Sequence, residues 1–217
     1  MMKIAQDLIS ELQGKKHIIW DWNGTLLSDV DYAVATVNNF LQEHDLPLVD
    51  VHSYRKVFDF PVSKYYQNLG FDFDKESFES LCHRYVDKYM QGVWELAVFP
   101  EMKYVLNELH LEGRMQSILS ASDQQSLDKI VAHFNLSPLF THVYGIADKM
   151  AASKVDRGRQ LLDLVAISRE DTVIVGDTLH DLEVGDALGI DAVLVAHGHQ
   201  CPTRLFAKHS KVIAPQK

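Results

Sequence analysis

The chain has 217 residues, 47% of them hydrophobic, and a formal charge of −9 at pH 7. That apolar content supports a packed core and argues against a disordered chain. The acidic balance argues against broad nucleic-acid or anionic-membrane binding, and two cysteines, Cys82 and Cys201, make no disulfide framework.

No apolar run reaches membrane-spanning length and the N-terminus carries no signal-peptide pattern. A cytoplasmic, reducing setting is the expectation, with Cys82 read as a core thiol. A monomer or weak homodimer is expected, with no membrane partner.

Ile4, Leu8 and Leu12 recur at four-residue steps and predict an amphipathic helix over residues 3–13, stopped by Gly14. It is read as packing on the core. Next, His17-Ile18-Ile19-Trp20 is a short apolar run of the kind buried on both faces of a parallel sheet. The run delivers Asp21 at its end, and Gly24 permits a tight turn.

Residues 30–98 carry helical patterns and no strand signal. Val30, Val34, Val37 and Leu41 mark one helix, and Pro61 suits the first turn of a second that stops at Gly70. Asp74 is the predicted N-cap of a third, striped by Phe78, Leu81, Cys82, Tyr85 and Tyr89. A helical insertion between the first strand and the next is therefore expected, folding as its own small bundle. Pro100 opens the following helix and Gly113 ends it.

From there strands and helices alternate, the βα pattern of a parallel sheet. Strands are predicted near 115–120, 142–146, 172–176 and 192–196, with a short last strand around Val212-Ile213-Ala214. Helices are marked by Leu127 to Phe134, Leu161 to Val165, and Leu182 to Leu188. Gly185 would allow close helix–sheet approach.

Ligands of open α/β sheets bind beyond the carboxyl ends of the strands. There this sequence sets Asp21, then Ser120 after Ile118-Leu119, then Asp177 and Asp181 after Val173-Ile174-Val175-Gly176. Lys154 opens a helical pattern between the last two. Carboxylates from two strand ends are hard oxygen ligands suited to Mg²⁺, while a hydroxyl and an ammonium suit a phosphate. Each residue also has a plainer reading: Ser120 as a turn residue, Asp177 and Asp181 as helix-start acids, Lys154 as a solvated lysine. Lys149 competes with Lys154, which is preferred because its helical pattern follows at once. His197-Gly198-His199 invites a zinc reading, but no further Cys or His has convincing spacing, so a loop near the site mouth is expected.

Asp21-Trp22-Asn23-Gly24-Thr25-Leu26, Ser120, Lys154 and Gly176-Asp177-Thr178-Leu179-His180-Asp181 resemble, in order, the four motifs of the haloacid dehalogenase superfamily of hydrolases. The resemblance covers nearly the whole chain after the N-terminal helix. It implies a Rossmann-like three-layer α/β/α core with a parallel sheet, residues 1–27 and 98–217, and an inserted helical cap of the C1 type, residues 28–97. It implies a Mg²⁺-dependent hydrolase of a small phosphorylated metabolite, similar to phosphoglycolate-phosphatase-like members. Asp21 would be the nucleophile that forms an aspartyl-phosphate. Asp177, Asp181 and the main-chain carbonyl of Asn23 would complete the metal site with Asp21. Ser120 and Ala121 would bind phosphate together with Lys154, which also offsets charge on the nucleophile. The Ser120-Ala121-Ser122 run matches some relatives.

Asn23 departs from the pattern, since family phosphatases carry there an Asp that protonates the leaving group. Such catalysis contributes roughly 10²–10⁴-fold, so slow turnover or a preference for good leaving groups is expected. His180 or a residue of the inserted helices could supply the proton instead. Arg55, Ser63, Lys64, Tyr65 and Tyr66 are candidates for reading the leaving group. A phosphonatase is the alternative, its first motif also reading Asp-Trp-Xaa-Gly-Thr, with Lys64 or Lys56 as Schiff-base former. A phosphometabolite-binding protein without turnover is another. Haloacid dehalogenation is disfavoured, because residue 23 is not Tyr and the metal carboxylates are present.

Overall fold

The computed structural model describes residues 2–146 and 154–215. Its main sheet has six strands, β1 (His17–Trp20), β4 (Met115–Asp123), β5 (His142–Ile146), β6 (Thr172–Gly176), β7 (Asp191–Val195) and β8 (Val212–Ile213). They lie in the order β5-β4-β1-β6-β7-β8, and every pairing is parallel. Successive side chains of a strand point to opposite faces, and the core divides accordingly. Ile18, Trp20, Ile118, Val173 and Val175 face one apolar cluster, filled by α1 (Met2–Glu11), α6 (Pro100–Leu111) and α7 (Gln124–His133). Ile19, Leu119 and Ile174 face the other, filled by α8 (Lys154–Leu164) and α9 (Leu179–Leu188). The result is a three-layer α/β/α core of the Rossmann-like kind.

Strand order reverses at β1: the chain passes to β4 and β5 on one side, then crosses to β6 and β7 on the other. Trp20 pairs in register with Ile118 and with Val175. One or two residues further along each strand bring Asp21, Ser120 and Asp177 to the same sheet edge. Here α9 can lie close, because Gly185 approaches so tightly that a Cβ would sit 3.1 Å from Ile174 and 3.2 Å from Ala192.

Between β1 and β4 run α2 (Val30–Glu43), α3 (Val51–Val57), α4 (Val62–Asn68) and α5 (Phe78–Gly92). They share a hydrophobic cluster of their own, built on Val34, Val37, Phe40, Leu41, Tyr54, Tyr65, Tyr66 and Leu81. Two details correct the sequence reading of this tract. Leu27–Ser28 (β2) pairs antiparallel with Ala97–Val98 (β3), a two-residue ribbon too short to carry a strand pattern. The N-cap of α5 is Ser77, whose hydroxyl accepts from the Ser80 N–H, and not Asp74. Helix α3 was not foreseen, although Asp50 and Ser53 form a capping box at its start. The short α10 (Pro202–Phe206) was also unforeseen. Strand β4 runs three residues beyond its predicted end, with a shift of register between Leu119 and Asp123. Such irregularities re-aim side chains, and this one carries Ser120 and Ser122.

Candidate active site

Asp21, Asp177 and Asp181 are all buried, and each offers a carboxylate oxygen within 4.8 Å of the others. The Lys154 ammonium, at the first turn of α8, sits 2.5 Å from Asp21 Oδ1 and 2.6 Å from Asp181 Oδ1. Thr25 donates from one hydroxyl toward both strand-end acids, 3.1 Å from Asp21 Oδ2 and 2.9 Å from Asp177 Oδ1. Asp181 serves its helix as well, its Oδ2 accepting from the Thr178 N–H and hydroxyl. Asp177 Oδ2 accepts from the His199 main-chain N–H at 2.5 Å.

Two glycines make room for Asp177. A Cβ on Gly24 would lie 2.5 Å from its Oδ2, and one on Gly198 only 2.0 Å from it. Gly24 also has φ +71, the left-handed region that disfavours any other residue.

Burial raises Asp21 above the usual carboxylate range; the Lys154 charge opposes the rise and Asp181 adds to it. Burial also pushes Asp177 up, to about 7. Asp181 falls below its usual range, because the Lys154 charge and the hydrogen bonds from Lys154 and Thr178 outweigh burial. Lys154 is held charged by Asp181 and Asp21 against its own burial. Three carboxylates against one ammonium leave the cluster short of positive charge. Its donors are hard oxygens in a cradle that glycine keeps open, and that set fits a small divalent cation such as Mg²⁺.

Ser120 Oγ accepts from the Ser122 N–H at 3.1 Å, which leaves its own proton to donate. Ala121 is exposed on the cavity wall. Lys149 lies outside the described residues.

Asn23 is held on both sides of its amide. Its Nδ2 donates to Asp29 Oδ2 and to the Tyr89 hydroxyl, both at 2.8 Å, and its Oδ1 accepts from Ser122 at 2.9 Å. Asp29 is the centre of this web. It also accepts from the Gly24 N–H at 2.8 Å, the Tyr89 hydroxyl at 2.8 Å and His199 Nε2 at 3.2 Å. Burial works to raise Asp29, but the His199 charge and these bonds hold it below the usual range. His199 is pushed up to about 9, Asp29 outweighing the effect of burial, so its Nδ1–H donates to Tyr54 at 2.8 Å.

The histidine pair lies in the loop that follows β7, as expected, and His199 lines the cavity. His199 is buried beneath the site, while His197 reaches the Thr25 carbonyl and packs on Phe99 at 4.0 Å between ring centroids. Sequence reasoning singled out His199 only as part of a loop, and it missed Thr25, Asp29, Tyr54 and Tyr89 as site residues. Only Thr25 carried a signal, its place in the first motif.

A cavity of about 670 Å³ opens above the carboxylates. Tyr65, Tyr66 and His180 line it, but Arg55, Ser63 and Lys64 do not. Arg55 instead donates to the Ala196 and Gln200 carbonyls, and Lys64 and Lys56 are exposed. Cys82 is half-buried on the wall and so is no core thiol.

Residues 18–195 match the family model described as haloacid dehalogenase-like hydrolase. A phosphoglycolate phosphatase of Aliivibrio fischeri is 26% identical over 194 residues, which cover 85% of each chain. The tyrosine-protein kinase PtkA of Mycobacterium tuberculosis is 24% identical over 184 residues, 84% of this chain but only 62% of that one. A haloacid dehalogenase-like hydrolase from Streptococcus pneumoniae superposes with a TM-score of 0.78 at 21% identity, over 94% of this chain and 95% of that one.

Proposed function

The chain belongs to the haloacid dehalogenase-like hydrolase family, and we propose that it is a Mg²⁺-dependent phosphatase of small phosphomonoesters that works through an aspartyl-phosphate. The observation that carries this reading is the Lys154 ammonium within 2.6 Å of both Asp21 and Asp181, beside Asp177. A carboxylate nucleophile is repelled by a phosphate dianion, and the buried ammonium offsets that repulsion at the attacking oxygen. Ser120 donates to a non-bridging phosphate oxygen, and the wall at Ala121 borders the same oxygens. Thr25 and the glycine cradle hold the two strand-end carboxylates in place. Asp21, Asp177, Asp181 and the Asn23 carbonyl would hold the magnesium, which when bound supplies positive charge to the phosphoryl oxygens.

The helices between residues 28 and 97 act, in this reading, as a cap that shapes the leaving-group chamber. Asn23 has no proton to give, and its amide hydrogens already serve Asp29 and Tyr89. Turnover is therefore slow wherever the leaving group needs protonation. The phosphonatase alternative is less favoured, because neither Lys64 nor Lys56, its candidate Schiff-base formers, lines the cavity. The relative named phosphoglycolate phosphatase favours phosphate-ester hydrolysis as the reaction class.

Phosphate release from 4-nitrophenyl phosphate, followed with Mg²⁺ and with EDTA, tests the reading. Metal-stimulated turnover that disappears in Asp21→Ala supports it. Ligand binding without turnover makes the protein a phosphometabolite binder instead.

A further inference from the structure

We propose that the alcohol half of the substrate is a phenol, so that the enzyme cleaves aryl phosphate monoesters; the inference rests on the phosphatase reading and narrows it. Two independent features of the cavity lead there.

The first is the wall. Phe58, Phe60, Tyr65, Tyr66, Phe78 and Tyr85 line the chamber above the carboxylates. Phe60 stacks on His180 with centroids 4.4 Å apart, and Tyr54 stacks on Phe58 at 5.1 Å. Such faces and edges favour a further ring in an offset or edge-on pose. Among the described residues, Lys154 is the one Lys or Arg on this lining, and it already serves Asp21 and Asp181. Among the described residues, a leaving group bearing its own carboxylate or phosphate would meet no Lys or Arg free of an acid, and the charged His199 on the lining is already paired with Asp29. The buried Tyr65 hydroxyl has no hydrogen-bond partner among the described residues, and so can bond a polar substituent on a bound ring.

The second is the missing acid. Both amide hydrogens of the Asn23 side chain are taken up by Asp29 and Tyr89, and its oxygen accepts from Ser122. Residue 23 therefore gives a leaving oxygen no proton. A phenol, with a pKa of about 10, leaves as its anion far more readily than an aliphatic alcohol, which is roughly as weak an acid as water at 15.7.

The balance is simple. An Asp21 oxygen bonds to phosphorus while the phosphorus–oxygen bond to the ring breaks, and the phenolate carries away the electron pair and takes its proton from solvent. Water then cleaves the aspartyl-phosphate, releasing inorganic phosphate and restoring the carboxylate.

The test is kcat/KM of the full chain with Mg²⁺ on phenyl phosphate, cyclohexyl phosphate, 2-phosphoglycolate and acetyl phosphate. Phenyl phosphate is expected to exceed both cyclohexyl phosphate and 2-phosphoglycolate by about 100-fold or more, consistent with what a missing general acid costs. Acetyl phosphate has a good leaving group and no ring, so it reports the phosphatase itself. Turnover of acetyl phosphate with cyclohexyl phosphate or 2-phosphoglycolate matching phenyl phosphate overturns the phenol assignment and leaves the phosphatase reading standing. No metal-dependent turnover of acetyl or phenyl phosphate overturns both.

Discussion

Asn23 donates through its amide to Asp29, 2.8 Å away, and the carboxylate it meets is buried and already paired with His199. Position 23 is thus built for a hydrogen-bond donor beside an anion. A carboxylate placed there would face another carboxylate.

Asn23→Asp alone is therefore not a simple repair. The new acid is forced toward its protonated form, so its folded pKa lies above the unfolded value of about 3.9. A raised carboxylate costs little below the unfolded pKa and increasingly more as pH climbs through the folded one. The melting-temperature deficit of the variant should widen from pH 5 to pH 8, and adding Asp29→Asn should narrow it non-additively. A deficit that stays constant across that range would show that the two side chains do not interact.

Lys154→Met removes the ammonium that bridges two of three buried acids. Breaking a buried ion pair by deleting one partner costs ~3–5 kcal/mol, and the same change removes charge stabilisation of the transferring phosphoryl group, about 10²–10³-fold in rate. Urea unfolding and phosphate release are the measurements. Mg²⁺ should recover part of the lost stability, since it supplies positive charge to the same carboxylates. Unchanged stability in EDTA would contradict the ion-pair account.

Gly198→Ala tests the cradle without altering any polar group. Its Cβ would lie 2.0 Å from Asp177 Oδ2, so the carboxylate has to move. Loss of the melting-temperature rise on adding Mg²⁺ is expected, with about a 10²-fold fall in activity. A wild-type response to the metal would count against Asp177 as a ligand.

His17 predicts acid sensitivity away from the site. Burial, aided by the His142 charge, lowers its pKa to about 4, and its Nε2 bonds Ser117 at 2.9 Å. The unfolded value is about 6.5, so the unfolded chain binds more protons between pH 6.5 and 4. Stability from this group is complete above 6.5, falls as pH drops through that window, and levels off below 4, by up to ~3 kcal/mol. In His17→Gln the slope between pH 7.5 and 5 should flatten. An identical slope in both proteins would assign the acid sensitivity to other groups.

Much of the architecture was legible because it is local. The unbroken apolar runs Ile18-Ile19-Trp20 and Val173-Ile174-Val175 mark strands buried on both faces, and the helix start at Pro100 is marked by a residue that lacks a free N–H. Asp74 misled because an acid before a helical stripe resembles a cap, whereas the chain turns there and begins its helix at Ser77.

Read alone, the sequence determined the parallel α/β frame and the acids and lysine at its strand ends, because strand period, turn residues and motif order are written in neighbouring positions. Only the tertiary structure decided what surrounds Asn23 and what roofs the cavity. Asp29, Tyr89, Ser122 and His199 meet from segments up to 170 residues apart, and the aromatic chamber arises where inserted helices fold over a sheet edge. No local pattern records such encounters, because burial and pairing depend on which distant segments the packing brings together.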